Sequence, residues 1–415
     1  MHVTPAGTGS GARGAPIHDA QARKATRAVF IAFAGAGFAF ASWASRIPQV
    51  RAELRVTPGE LGLILLCGAV GSGTATPLSG LVVGRLGEAR AVMVMSLIAA
   101  AGLSTIAVGY SHVVTVATGL FFFGFGSGAW DVAMNVQGAA VERRLDRTIM
   151  SRFHASWSLG TVAGAGAGAA MVALRVPVTA HLLTVALIVA IAVPLATRRF
   201  LPAGPVQQRE TAARPDRSRG RDQLAAWTEP RTLIIGLFVL CMAFSEGTGN
   251  DWLSLSVIDG YHVAAFVGDL VFAVFLTAMT AGRWFGPGFI DRYGRVRVLR
   301  ASAAIALAGL LLIDFGIVLP VAAAGAVLMG LGTALGFPVG MSAAADDPQY
   351  AASRVSTTAS LGYFAFLAGP PCIGFLADHV GVLHALSAAA VLITAAFFLC
   401  PATAPPLAAS LSPGQ

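Results

Sequence analysis

Two carboxylates, Asp131 and Glu246, stand inside or directly after long apolar stretches of the sequence. Each is followed four residues later by an asparagine, Asn135 or Asn250, and this spacing places acid and amide on one face of a helix. A charged side chain at the centre of a membrane helix costs about 2.5–3.5 kcal/mol on insertion scales. Acids that are kept there despite this cost predict a proton-binding or solute-binding role.

Each of these residues also has a plainer interpretation. Asp131 could be an interfacial carboxylate solvated from the cytoplasm, and Glu246 could make a structural hydrogen bond to the first helix. Trp43 and Trp252 lie near equivalent ends of the first and seventh apolar stretches. Tryptophan at such a position either belongs to the aromatic belt of the membrane surface or stacks on a bound ligand. The sequence alone leaves both interpretations open.

Composition identifies the elements that must position these side chains. The 415 residues are 56% hydrophobic and 12% charged, whereas soluble domains are about 45–50% apolar and about 25% charged. This excludes a soluble enzyme, a disordered protein and a coiled coil. Because each crossing of the bilayer needs about 20 apolar residues, we predict an all-α polytopic membrane protein with twelve transmembrane helices, at 28–45, 61–83, two within 91–130, 153–174, 176–197, 232–256, 264–289, 301–319, 321–345, 355–377 and 380–404.

The sequence contains neither a nucleotide-binding nor a metal-binding pattern. A Gly-x4-Gly-Lys-Ser/Thr motif does not occur, and the four cysteines have neither metal-ligand spacing nor the pattern of a disulfide framework. We therefore expect no cofactor, no metal site and no enzymatic activity. The expected energy source is an ion gradient.

The basic residues are distributed asymmetrically. If the N-terminus is inside, 23 of the 28 basic residues lie in inside segments and four lie outside. Cytoplasmic loops carry an excess of Lys and Arg, so we predict a plasma or inner membrane protein with both termini in the cytoplasm. The placement of the basic residues then explains the net charge of +8 by topology, and we expect no nucleic-acid partner.

The chain divides into two similar halves. We predict a flexible cytoplasmic tail at 1–26, a six-helix bundle at 27–197, a cytoplasmic linker at 198–230, a second six-helix bundle at 231–404 and a short tail at 405–415. Three short patterns recur in the same order about 206 residues apart, namely Arg85-Leu86-Gly87 with Arg292-Tyr293-Gly294, Gly124-Phe125-Gly126 with Gly330-Leu331-Gly332, and Ser158-Leu159-Gly160 with Ser360-Leu361-Gly362.

The segment between the eighth and ninth predicted helices carries a recognisable motif, Gly288-Phe289-Ile290-Asp291-Arg292-Tyr293-Gly294-Arg295. With the duplication, it makes the chain resemble the major facilitator superfamily of secondary transporters from about residue 27 to 404. The corresponding segment of the first half departs from the motif, because Gly84 stands where the Asp is expected. The sequences around Trp130-Asp131 and Arg152-Phe153-His154 resemble an uncharacterised bacterial branch near the sugar permeases.

The resemblance implies a gate and two pseudo-symmetric bundles. In the superfamily the motif Asp meets the N-terminus of a helix in the other half, which here is the fifth helix near residues 151 and 152. The residues that the resemblance assigns to this gate are Arg85, Gly87, Arg90, Gly288, Asp291, Arg292, Gly294, Arg295, Arg152 and Arg354. Arg283, inside the eighth helix, either snorkels to the cytoplasm or pairs with Asp291.

The resemblance also implies a function. We expect a secondary active transporter that moves a small, sugar-like or otherwise polar solute by alternating access, with a proton carried by Asp131 or Glu246. Sugar–proton symporters of the superfamily carry a carboxylate in the fourth helix. The alternatives are proton-coupled efflux of a drug or metabolite and, in another class, a non-transporting membrane sensor. The expected partners are the solute, protons and the bilayer, and we expect a monomer.

Overall fold

A computed structural model describes residues 16–145, 149–202, 225–347 and 350–405, and this part of the chain is helical throughout, without strands. Its long helices are α1 (Pro16–Ala44), α2 (Pro58–Leu86), α3 (Glu88–Gly109), α4 (Val113–Leu145), α5 (Met150–Ala173), α6 (Val178–Thr197), α7 (Pro230–Tyr261), α8 (Ala265–Tyr293), α9 (Arg295–Phe315), α10 in two pieces (Leu319–Thr333 and Gly336–Ala344), α11 (Ala351–Val380) and α12 in two pieces (Val382–Ala385 and Ser387–Leu399). A short helix, Ile47–Leu54, follows α1.

Twelve long helices stand at the positions of the twelve predicted crossings. Eleven of the helical segments are long and apolar enough to span a membrane. The twelfth is α5, whose many Gly and Ala residues lower its hydropathy but let it pack closely along α1 and α8. The fold is that of an all-α polytopic membrane protein.

Two helices are longer than the predicted spans, because polar residues with high helix propensity follow or precede the apolar run. The sequence predicts a start of the first span at residue 28, whereas α1 begins at Pro16 and includes residues that fall in the predicted tail. The predicted fourth span ends near residue 130, whereas α4 continues to Leu145. Ala, Gln, Glu, Lys and Arg favour helix, so a charge ends an apolar run without ending the helix. Asp131 therefore lies near the middle of α4, not close to its end.

The duplication predicted from sequence is visible in the packing. A Cβ atom added to Gly102 of α3 would meet the backbone of Phe123 in α4. A Cβ atom added to Gly309 of α9 would meet the backbone of Met329 in α10. The same close approach of two helix backbones thus recurs at matching positions of both halves, which small residues permit.

Consecutive helices run in opposite directions, and this defines two sides of the molecule. The terminal side holds the start of α1, the end of α12 and the turns at Gly87 and Gly294. The far side holds the short helix Ile47–Leu54 and the turn at Gly381. The two halves meet where α2 packs on α11 and where α5 packs on α8.

Hydrogen bonds and ion pairs between described residues join the two halves on the far side only. Arg51 pairs with Asp259 at 2.6 Å. Thr57 and Gly59 donate to Asp378 at 3.4 and 3.1 Å. Among the described residues, the polar contacts between the two halves therefore hold the far side closed.

Candidate functional site

Asp131 and Asn135 lie together on one face of α4, as their spacing predicts. The Asn135 Nδ2 atom donates to the Asp131 backbone oxygen at 2.9 Å and to the carboxylate Oδ1 at 3.3 Å. Asp131 is exposed although it lies near the middle of a membrane helix. Tyr363, on α11 of the other half, lies close enough to interact with it electrostatically. Among the described residues, Asp131 has no cationic partner within ion-pair distance.

Glu246 has a cationic partner that the sequence did not identify. It lies near the middle of α7, is 7% exposed, and accepts a hydrogen bond from the Nη2 atom of Arg283 in α8 at 2.6 Å. Arg283 thus neither snorkels nor pairs with Asp291. The reason is geometric, because α7 and α8 pack side by side and bring both side chains to the same depth.

Arg283 also touches the other half of the molecule. Its guanidinium carbon lies 6.0 Å from the ring centroid of Trp157 in α5, a distance at which a cation is attracted to an aromatic face. His154, one turn before Trp157, lies close enough to Arg283 to interact with its charge. The ion pair between Glu246 and Arg283 therefore stands at the seam where α5 and α8 meet.

The remaining predicted binding residues lie deeper in the protein. Asn250 is half-buried, and its Oδ1 atom is buried without a hydrogen-bond partner among the described residues. Trp43 is 5% exposed and Trp252 is completely buried. Both tryptophans therefore pack in the helical core and not in an aromatic belt.

The predicted contact between Asp291 and the start of α5 is absent among the described residues. Asp291 is exposed and makes no hydrogen bond or ion pair with another described residue, and Gly288 faces open space. The N-terminus of α5 is instead capped from its own half, because Glu142 accepts the N–H groups of Ile149 and Met150 at 2.6 and 3.0 Å. Arg152, at the start of α5, is exposed. Contact between Asp291 and α5 stays a prediction for the opposite state.

The other motif residues are two glycines at turns and four arginines. Gly87 and Gly294 both have positive φ values, 74° and 84°, and begin the next helix. Four arginines of the motif segments, Arg85, Arg90, Arg292 and Arg354, differ in their contacts. The first two are exposed, Arg292 lies over the Tyr293 ring at 5.2 Å, and Arg354 pairs with Glu229 at 2.7 Å.

Arg295 belongs to a cluster that holds the terminal side of the second half together. Asp346 pairs with Arg231 at 2.8 Å and with Arg295 at 3.0 Å, and its side chain is 11% exposed. The two arginines also donate to the backbone oxygens of Ala404 and Thr403. This cluster ties the start of α7, the start of α9 and the segment after α12 to one carboxylate.

We expect Asp346→Ala to destabilise the protein by about 2 kcal/mol, because it leaves two partly buried cations without their partner. The measurement is the midpoint of thermal denaturation of the purified protein in detergent. Asp291→Ala is the matched control, since Asp291 is exposed and unpaired. Equal denaturation midpoints for the two variants would show that the cluster does not hold these segments together.

Sequence reasoning missed Asp378 as a contact between the two halves. Its carboxylate Oδ1 accepts the backbone N–H of Gly59, and Oδ2 accepts the Thr57 hydroxyl. The available signal was the spacing Asp378-x-x-Gly381, which repeats that of Asp291-x-x-Gly294. The position of Asp269 near the end of a span predicts an interfacial carboxylate, but Asp269 is fully buried and accepts a hydrogen bond from Ser254 at 2.7 Å.

Comparisons with known proteins agree on one family. The model of the Major Facilitator Superfamily matches residues 28–256. The chain is 31% identical to the uncharacterized transporter y4wD of Sinorhizobium fredii, over 85% of this chain and 91% of that protein. It is 29% identical to an uncharacterized MFS-type transporter of Yersinia pestis, over 88% and 91%.

Solved structures show the same fold at low sequence identity. A variant of the nucleoside transporter NupG superposes with a TM-score of 0.75 at 15% identity, over 92% of this chain and 98% of that one. A variant of the Escherichia coli fucose:proton symporter FucP gives a TM-score of 0.62 at 17% identity, over 92% and 99%. With the family match over more than half of its length and a relative above 30% identity, the chain belongs to the major facilitator superfamily of membrane transporters.

Proposed function

We propose that this transporter is a proton-coupled symporter that moves a small polar solute by alternating access. The observation that carries the proposal is Asp131, an exposed carboxylate without a cationic partner among the described residues, near the middle of a membrane helix. A buried or dehydrated carboxylate disfavours its ionised form. Asp131 can therefore take a proton when the cavity closes around it and lose the proton when water enters.

The side chains near Asp131 and near the Glu246–Arg283 ion pair favour an uncharged solute with hydroxyl groups. Asn135 and Tyr363 offer hydrogen-bonding atoms, and Trp157 offers an aromatic face on which a ring can pack. The charge of Arg283 is already neutralised by Glu246. A sugar-like solute suits this set, and two structural neighbours are named for nucleosides and for fucose with a proton.

The proposed roles of the two carboxylates differ. Asp131 carries the proton, because its charge has no cationic partner within ion-pair distance among the described residues. Glu246 holds Arg283 at the seam between the halves, near Trp157. Protonation of Asp131 together with solute binding would remove a charge from the cavity, and the cavity could then close without burying an ion.

We propose that the terminal side faces the cytoplasm and that the protein works as a monomer in the plasma or inner membrane. The positive-inside distribution of arginine supports this orientation. The moving units are then the predicted bundles at 27–197 and 231–404, and the structure represents the state that opens to the cytoplasm.

The test is a thermal-shift screen of the purified protein against sugars, nucleosides, amino acids and antibiotics. A solute that binds only the folded protein raises the denaturation midpoint. We expect a hit among the sugars or nucleosides, and we expect that solute to accumulate in proteoliposomes when a pH gradient, acidic outside, is imposed. Stabilisation by antibiotics alone, with no uptake driven by the gradient, would favour efflux and contradict the proposal.

A further inference from the structure

A second Asp-x-x-Gly turn lies on the far side of the molecule. Asp378 precedes Gly381 at the junction of α11 and α12, with the spacing of Asp291 and Gly294 at the junction of α8 and α9. The backbone is the same at both turns. Gly294 has φ and ψ of 84° and 152°, Gly381 has 82° and 157°, and each glycine is the N-cap of the next helix. The two turns are therefore the same structural element on opposite sides of the membrane.

This placement follows from the inverted three-helix repeats within each half of the fold. Four turns join the second and third helix of such a unit, and each contains a residue with a positive φ, namely Gly87, Arg175, Gly294 and Gly381. The residues three positions earlier are Gly84, Val172, Asp291 and Asp378. Each side of the membrane thus has one such turn with a carboxylate, and both carboxylates belong to the second half.

Asp378 is engaged in this state, whereas Asp291 is not. Its Oδ1 atom accepts the Gly59 N–H at 3.1 Å, and this group belongs to the first turn of α2 in the other half. The first N–H groups of a helix have no partner within the helix. In α2, Pro58 has no N–H and the Glu60 N–H is bonded to the Thr57 hydroxyl. Asp378 therefore supplies the acceptor that the Gly59 N–H would otherwise lack.

The contact also requires close packing of α2 against α11. A Cβ atom at Gly59 would collide with the Asp378 carboxylate, and one at Gly62 would collide with the backbone of Pro370. A Cβ atom at Gly374 would collide in turn with the backbone of Pro58. These contacts cannot persist once the two halves separate on the far side.

We propose that Asp378 is a positioning residue for transport, which holds the far side closed and alternates with Asp291. In the state open to the terminal side, the Asp378 carboxylate caps α2 and Asp291 is released. In the opposite state, Asp291 meets the N-terminal region of α5 near the exposed Arg152, and Asp378 is hydrated. The proposal rests on the alternating-access part of the proposed function and not on the proton or the solute.

The test measures the two sides separately by pulsed electron paramagnetic resonance on the full-length, cysteine-free chain. One spin-label pair, Glu53→Cys with Ala264→Cys, spans the far side. A second pair, Arg198→Cys with Arg297→Cys, spans the terminal side. We expect Asp378→Asn to lower the ratio of far-side-closed to far-side-open molecules about three- to tenfold, as for loss of an N-cap charge. The terminal-side pair should move closer together in the same molecules.

Asp291→Asn should shift both pairs in the opposite direction, and the double variant should return close to the native ratio. A purely structural role of Asp378 would not be compensated by Asp291→Asn. The matched control is Asp259→Asn, which removes the surface ion pair with Arg51 between the two halves on the same far side. Because surface pairs contribute little, we expect a change below about twofold.

A second variant keeps the charge of Asp378 and removes its contact. Gly59→Ala places a methyl group where the carboxylate lies, so it should open the far side in the same direction as Asp378→Asn. The proposal is overturned if either variant leaves the far-side distances unchanged, or if the double variant does not restore the native ratio. Neither measurement needs a solute or a pH gradient, so these outcomes are independent of proton coupling.

Discussion

Asp131→Asn should abolish the accumulation of solute against its gradient while solute exchange across the membrane continues. Asparagine keeps the shape of the side chain and can still hydrogen-bond Asn135, but it cannot bind and release a proton. With one proton per solute, a gradient of about one pH unit can sustain about a tenfold solute ratio. In the variant we expect this ratio to fall to one.

The measurement compares uptake driven by a pH gradient with counterflow of labelled solute in proteoliposomes. Asn135→Ala is the matched control on the same helix face. It removes the amide that donates to the Asp131 carboxylate and that is proposed to bind the solute. It should therefore change the pH dependence of uptake and raise the solute concentration needed for half-maximal uptake, but keep the accumulation ratio. Should Asp131→Asn still accumulate solute in a pH-dependent way while Glu246→Gln does not, Glu246 carries the proton and the assignment above is wrong. If both variants accumulate solute, neither carboxylate does.

Arg283→Gln should reduce both stability and transport by a large amount. The substitution leaves the carboxylate of Glu246 buried without its cation, and removing one partner of a buried ion pair typically costs about 3–5 kcal/mol. Since Arg283 is 25% exposed at its side chain, we expect a loss of about 3 kcal/mol. Transport should fall about tenfold or more, because the guanidinium also contacts Trp157 across the seam.

The double variant Glu246→Gln with Arg283→Gln separates the two effects. Two neutral amides can hydrogen-bond in the space of the ion pair, so we expect most of the lost stability to return. We expect transport to stay low, since the contact of the cation with Trp157 is still missing. The readouts are the thermal denaturation midpoint and the rate of counterflow. If Arg283→Gln alone denatures at the same temperature as the native protein, the ion pair is not a structural element of the seam.

The sequence determined the fold and the pairing of residues along a single helix. Apolar runs of sufficient length predict twelve crossings, because the bilayer demands about 20 apolar residues for each. The spacing of Asp131 and Asn135 places them on one helix face, and the structure joins them by a hydrogen bond. The duplication likewise appears in the sequence, since it depends only on which residues recur and at what distance.

Helix ends were less predictable from the sequence than helix existence. The charge of Asp131 ends an apolar run, and this suggested a position near the membrane surface. The helix instead continues to Leu145, which moves Asp131 to mid-helix. Hydropathy reports where apolar residues stop, whereas a helix stops where backbone hydrogen bonds lose their partners.

Only the tertiary structure decided which charges meet. Nothing in the local sequence distinguishes Glu246 from Asp291 as the partner of Arg283, and the nearer of the two in sequence is the wrong one. The partner is set by the packing of α7 against α8. Asp378 meets Gly59 across more than three hundred residues of chain, so no local pattern identifies the contact. Local chemistry follows from neighbours along the chain, but an ion pair or a cap between helices depends on which helix faces lie together in the bundle.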